Sequence, residues 1–102
     1  MIRPFAILIC LAAASASAQA QEFPAAGQVC VTCHGRDGVG TSPLFPNLAG
    51  QSAVYTIQQM ENFRSGLRPS EVMGIIAEPL TDQQIRELAL YYESLGAGCA
   101  CD

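Results

Sequence analysis

Apolar residues run almost unbroken from Phe5 to Ala14 behind one basic residue, Arg3, and small residues then crowd Ala16-Ser17-Ala18-Gln19-Ala20. Basic, then apolar, then small is the order of a cleavable export signal. The apolar run falls short of the ~20 residues that a membrane-crossing helix needs. Cuts after Ala16 or Ala18 satisfy the small-residue rule. Cleavage after Ala20 is favoured, leaving residues 1–20 as signal peptide and 21–102 as the mature chain. Cys10 follows Ile7-Leu8-Ile9 with no small residues before it, so it is expected to leave with the signal rather than carry a lipid.

Beyond the signal the period changes. Pro24 suits the first turn of a short helix carrying Ala25 to Cys33, which His34-Gly35 would end, glycine taking the left-handed stop. Residues 35–50 are rich in Gly, Pro, Ser and Asn and read as an irregular loop. A helix is expected from Ser52 to Ser65, with Val54, Ile57, Met60 and Phe63 near one face and Gln58, Gln59, Glu61 and Arg64 facing solvent; Gly66 closes it. Residues 67–79 are mixed, with one helical turn around Glu71 to Ala77. Thr81-Asp82-Gln83-Gln84 has the form of a capping box. It opens the clearest helix, in which Ile85, Leu88, Ala89 and Tyr92 recur at helical spacing, Leu95 extends the stripe and Gly96 stops it. No segment alternates apolar and polar residues as a half-buried strand would. The expectation is one all-α domain of about three main helices.

Composition narrows the function. The 102 residues carry a net charge of −4, which becomes more negative once Arg3 is removed. No basic block suggests nucleic acid, and no second apolar run is long enough to span a membrane. A domain this small rarely holds together on its apolar core alone, and a metal, disulfide or cofactor usually completes it.

The candidate for that part is Cys30-Val31-Thr32-Cys33-His34, a C-x-x-C-H pentapeptide. It is the attachment motif of a c-type haem: two thiols one helical turn apart each form a thioether with a vinyl group, and the imidazole reaches the iron. A redox dithiol or half a zinc site are the other uses of such spacing. The first belongs to a βαβ context that is missing, and the second needs ligands that a chain with one histidine lacks. One motif implies one covalent haem c.

In its motifs the chain resembles a small bacterial monohaem cytochrome c of class I. The matching stretches are Cys30 to Gly40 (CVTCHGRDGVG), Pro46 to Gln51 (PNLAGQ), Tyr55 to Gly66 (YTIQQMENFRSG) and Met73 to Tyr92 (MGIIAEPLTDQQIRELALYY). The resemblance covers nearly the whole mature sequence. It implies that Cys30 and Cys33 hold the haem and His34 is the proximal ligand. It implies too that the Pro46 carbonyl orients the imidazole while Leu48 packs on the haem. For the distal ligand the mature chain offers Met60 and Met73. Met60 lies on an apolar stripe, where methionine commonly fills core, whereas Met73 stands in the stretch that resembles the ligand-bearing one. Leu44, Phe45, Leu48, Val54, Ile57, Ile75 and Ile76 are candidates for the haem wall.

His/Met ligation leaves iron no open position and raises its potential, so the function expected is periplasmic one-electron transfer between a donor and an acceptor protein, not catalysis. The alternatives are a dedicated subunit of a periplasmic dehydrogenase and, less favoured, a haem sensor or peroxidase with an open iron. Two departures from the family pattern stand out. The first helix lacks a turn, and Gly27 lies very near Cys30 to serve as the glycine that contacts the last helix. The tail 96–102 adds Cys99 and Cys101, with a strained disulfide, an intermolecular bridge, a soft-metal site or no role as its readings. Family pattern points to Tyr91 as the aromatic between the first and last helices, periodicity to Tyr92 as the buried one. Arg64 and Arg68 read as a solvated helix end, with an approach to a haem propionate as the less favoured alternative.

Overall fold

A computed structural model of the chain describes residues 1–2, 4–15 and 21–96. Residues 1–2 and 4–15 carry no helix or strand and are exposed, Phe5 at 95 %. The expected cleavage zone and the two tail cysteines lie outside the described residues. A single 3₁₀ turn, Ala25–Gly27, leads into four helices: α1 Gln28–His34, α2 Ala53–Ser65, α3 Glu71–Ala77 and α4 Asp82–Ser94. Among the described residues there is no strand, and the fold is all-α.

Local chemistry explains each boundary. Gly35 ends α1 at φ 74°, a value that side-chain-bearing residues rarely take, and its N–H closes on the Val31 carbonyl at 3.0 Å. Ser52 caps α2 by accepting from the Tyr55 amide, and Gly66 ends it in the left-handed region. Ser70 does the same for α3, accepting from the Met73 amide at 3.0 Å. Both halves of the capping box form on α4: Thr81 Oγ1 accepts from the Gln84 amide at 3.1 Å, and Gln84 Oε1 from the Thr81 amide at 3.0 Å. Where one helical turn was expected at 71–77, the chain makes two.

The core is built on α4. Ile85, Leu88, Tyr91 and Tyr92 form a buried cluster with Cys30 and Leu80, and Phe23, Ala26, Leu48, Ile57, Met60 and Leu95 pack against it. α2 lies against both α4 and α3. Long-range ties fasten the ends of these helices. Glu93 accepts from the first amide of α2, that of Ala53, at 2.6 Å, a carboxylate placed at the positive end of a helix. At the other end Arg64 donates to the Leu80 carbonyl at 2.9 Å and to Asp82 at 2.6 Å. Arg64 is thus half-buried and committed, not a solvated helix end; Arg68, exposed, lies over the Phe63 ring at 4.5 Å.

Three further expectations change. Val54 is 79 % exposed, while Ile57 and Met60 pack against the core. Residues three apart fall back by roughly 60° per step on a helix of 3.6 residues per turn, so a row of four winds about halfway round the cylinder. Its first member therefore leaves the face that its middle members share. Gly27 does serve as the close-approach glycine: it is buried, and a Cβ there would stand 3.0 Å from Leu88 Cδ2 and 2.7 Å from Phe23 Cζ. Phe23 supplies what the missing helical turn would have covered, meeting Tyr91 edge-on with ring centres 5.0 Å apart. Tyr91 and Tyr92 are both buried, the first against Phe23 and the second in the core.

Candidate functional site

His34 is the last residue of α1 and is only 7 % exposed. Its Nδ1 lies 2.8 Å from the Pro46 carbonyl oxygen. A carbonyl oxygen only accepts, so the hydrogen resides on Nδ1 and the Nε2 lone pair is the one left to bind a metal. Cys30 and Cys33, three residues apart on the same helix, share a face. Both are free thiols. Burial, and after it the neighbouring Cys33, pushes the Cys30 thiol up, keeping it neutral.

The loop between α1 and α2 folds back on itself to bring Pro46 to the histidine. The Gly38 carbonyl accepts from both the Leu48 and Ala49 amides, at 2.7 and 3.0 Å. Gly38 has φ 75°, and a Cβ there would press 2.6 Å from the Ala49 nitrogen, so both conformation and space call for glycine. Thr41 accounts for two carbonyls at the end of α1: its hydroxyl donates to Thr32 at 2.8 Å and its amide to Cys33 at 2.9 Å. The Gly40 amide donates to Asn47 Oδ1 at 2.7 Å, crossing the loop beside Pro46. A cavity of about 460 Å³ opens in this loop, bounded by Gly40, Phe45 and Asn47 among others.

Of the residues singled out by sequence, Cys30, Cys33, His34, Pro46 and Leu48 thus belong to one locality, Leu48 packing on the core cluster that contains Cys30. Met73 is carried on a different element, α3, and is half-buried; it is not among the residues packed on the core, whereas Met60 is. The remaining wall candidates divide. Phe45, Ile57 and Ile76 are half-buried, but Leu44 and Ile75 are 85 % and 74 % exposed and so, with Val54, present large apolar surfaces outside the core. Two thiols on one helical face, an imidazole with its outer nitrogen free, and apolar side chains left over from the core form a set that fits a covalently held porphyrin. Among the described residues no three His, Cys, Asp or Glu side chains converge as a protein-only metal site would require.

Sequence reasoning missed the phenol groups at this site. Tyr91 donates its hydroxyl to the Arg36 carbonyl at 2.7 Å and Tyr92 to the Gly35 carbonyl at 3.2 Å. The only sign of this in the sequence is a pair of adjacent tyrosines on a helix that periodicity buries, which says nothing of where the hydroxyls point.

Among the described residues no helix is long and apolar enough to cross a membrane. Residues 18–96 match the family model described as Cytochrome c. Cytochrome c-554(548) of Halomonas halodenitrificans is 43 % identical over 68 residues, which cover 64 % of this chain and 82 % of that protein. Cytochrome c4 of Thiocapsa roseopersicina is 45 % identical over 72 % of this chain but 38 % of its own length. The thiosulfate dehydrogenase electron acceptor of Stutzerimonas stutzeri is 41 % identical over 66 % of this chain and 32 % of its own. This chain therefore spans about a third of each longer relative, 38 % of one and 32 % of the other. A solved structure of cytochrome c4 from Acidithiobacillus ferrooxidans superposes with a TM-score of 0.60 at 45 % identity, over 64 % of this chain and 37 % of that one.

Proposed function

Because the chain belongs to the cytochrome c family, electron-transfer proteins with covalently bound haem c, we propose that it is a periplasmic one-electron carrier with iron held between His34 and Met73. The observation that carries this reading is the hydrogen bond from His34 Nδ1 to the Pro46 carbonyl, which leaves Nε2 as the nitrogen for iron. Bound haem supplies a one-electron ferric/ferrous couple. Cys30 and Cys33 would hold it through thioethers. Pro46 fixes the tautomer and direction of the imidazole, as an outer partner does for most metal-bound histidines.

Met73 would be the second ligand. Met60 packs against the core cluster, and its loss from there would cost stability, whereas Met73 is not among the residues packed on that cluster. A thioether sulfur favours ferrous iron. Leu48, together with Leu44, Val54 and Ile75, would keep water from the porphyrin; low polarity there further disfavours ferric charge. Two permanent ligands leave no position for oxygen or substrate, which supports a carrier rather than an enzyme. In this reading residues 1–20 are the export signal, 21–102 the mature chain, and its donor and acceptor are redox proteins.

The test is spectroscopic. The ferric protein should show the near-infrared sulfur-to-iron band; Met73→Ala should abolish it and Met60→Ala should keep it while lowering the denaturation midpoint. A band that survives Met73→Ala overturns the ligand assignment. A second reading, a dedicated subunit that accepts electrons from a periplasmic dehydrogenase, is favoured by the likeness to the thiosulfate dehydrogenase electron acceptor. Size exclusion of native periplasm distinguishes them: a carrier elutes alone, a subunit with its enzyme.

A further inference from the structure

Tyr92 touches the loop of residues 35–50 at both ends. Its hydroxyl donates to the Gly35 carbonyl, immediately after His34, and its own carbonyl accepts from the Gly50 amide at 2.9 Å. Tyr91 adds a second phenol on the next carbonyl, that of Arg36, at 2.7 Å. The Arg36 guanidinium in turn lies 4.4 Å over Phe23, the ring that meets Tyr91 edge-on. These bonds join residues 55 and 57 positions apart, so the last helix grips the backbone that follows the histidine. Gly35 itself sits at φ 74°.

We propose that Tyr91 and Tyr92 are positioning residues for the proximal ligand, their hydroxyls setting how the His34 ring meets the Pro46 carbonyl. The inference rests on His34 as an axial ligand. The loop closes onto His34 from its far side through Pro46, and from its near side through Gly35 and Arg36. Both ends must be held for the Nδ1–H to point at the oxygen. A well-aligned Nδ1–H···O bond gives the imidazole more electron density to offer iron, which stabilises the ferric form and lowers the potential. With the hydroxyls removed, the Gly35 carbonyl keeps only the long 3.3 Å bond from the Gly38 amide. The Arg36 carbonyl loses its tyrosine partner. The segment then loosens, the Nδ1–H bond weakens and the potential rises.

The experiment compares the haem-loaded full chain with Tyr91→Phe, Tyr92→Phe and the double variant, each ring kept and only the hydroxyl removed. Three quantities are read: reduction potential, solvent exchange of the His34 Nδ1 proton by NMR, and guanidinium midpoint. Thr81→Ala, which removes a cap at the opposite end of α4, is the control that lowers stability without touching either hydroxyl or the ring and guanidinium beside them. The proposal expects a higher potential in both single variants, largest in the double, with Nδ1 proton exchange faster on the order of tenfold. Thr81→Ala should lower the midpoint and leave potential and exchange in place. If the double variant fails to fold, the two single variants decide. Potentials unmoved in the phenylalanine variants, or moved as far by Thr81→Ala, overturn the proposal. Absence of the near-infrared band from the unaltered protein would overturn Met73 as ligand, and the tyrosine proposal would still be judged on the potential and exchange.

Discussion

Gly27→Ala tests whether the shortened N-terminal segment really docks on the last helix. Gly27 has φ −77°, an ordinary helical value, so alanine meets no backbone penalty and would by itself stabilise the turn. That gain is about 0.4–1 kcal/mol. Against it stands space. The new methyl would lie 2.7 Å from Phe23 Cζ and 3.0 Å from Leu88 Cδ2, both inside normal contact. The Phe23 ring could retreat only by giving up its contact with Tyr91, and Leu88 is buried in the cluster. Overpacking of this kind costs roughly 1–3 kcal/mol. The net expectation is a loss of about 1–2 kcal/mol, or about 4–8 °C of melting temperature per kcal/mol for a domain of this size. Guanidinium and thermal unfolding of the haem-loaded protein measure it. A second variant locates the clash: Phe23→Leu in the Gly27→Ala background should recover about 1 kcal/mol relative to additivity, because the two side chains compete for one space. A Gly27→Ala protein as stable as the original would refute the docking argument, and additive losses would place the conflict at Leu88 instead.

Thr81→Ala removes the hydroxyl half of the α4 capping box and should cost about 1 kcal/mol by denaturant midpoint. Arg64→Ala leaves the Leu80 carbonyl without its guanidinium partner and should cost on the order of 1–1.5 kcal/mol. Asp82→Asn, which weakens an ion pair whose carboxylate is largely in solvent, should cost less than about 0.5 kcal/mol. Burial, with smaller contributions from Cys30, Tyr91 and Asp37, pushes the Tyr92 phenol up to about 12. Its proton is held more tightly in the folded chain than in the unfolded one, whose phenol ionises near 10. Stability from this group is full below pH ~10 and is lost as pH rises toward ~12; Tyr92→Phe should flatten that part of the midpoint-against-pH curve.

Most helix limits were legible in the residues because each rests on bonds made within a turn. Ser52, Gly66 and the Thr81–Gln84 box act over three or four positions, and they form regardless of what lies beyond. The pentapeptide of Cys30 to His34 is legible for the same reason: its spacing is local and its chemistry belongs to the residue types. Pro46 was reached through family likeness, not from the residues alone, since twelve positions separate it from His34.

What only the folded chain decided are contacts between residues far apart. Sequence spacing could not say that Gly27 meets Leu88, that Arg64 reaches the Leu80 carbonyl, or that two tyrosine hydroxyls end on Gly35 and Arg36. Nor could it show Val54 turning away from the face shared by Ile57 and Met60. Periodicity reports which residues leave water, because burial is a property of a helix face. Which partner each one finds depends on how α4 seats against α2 and the N-terminal segment, and that is settled by packing and by the need to satisfy buried carbonyls.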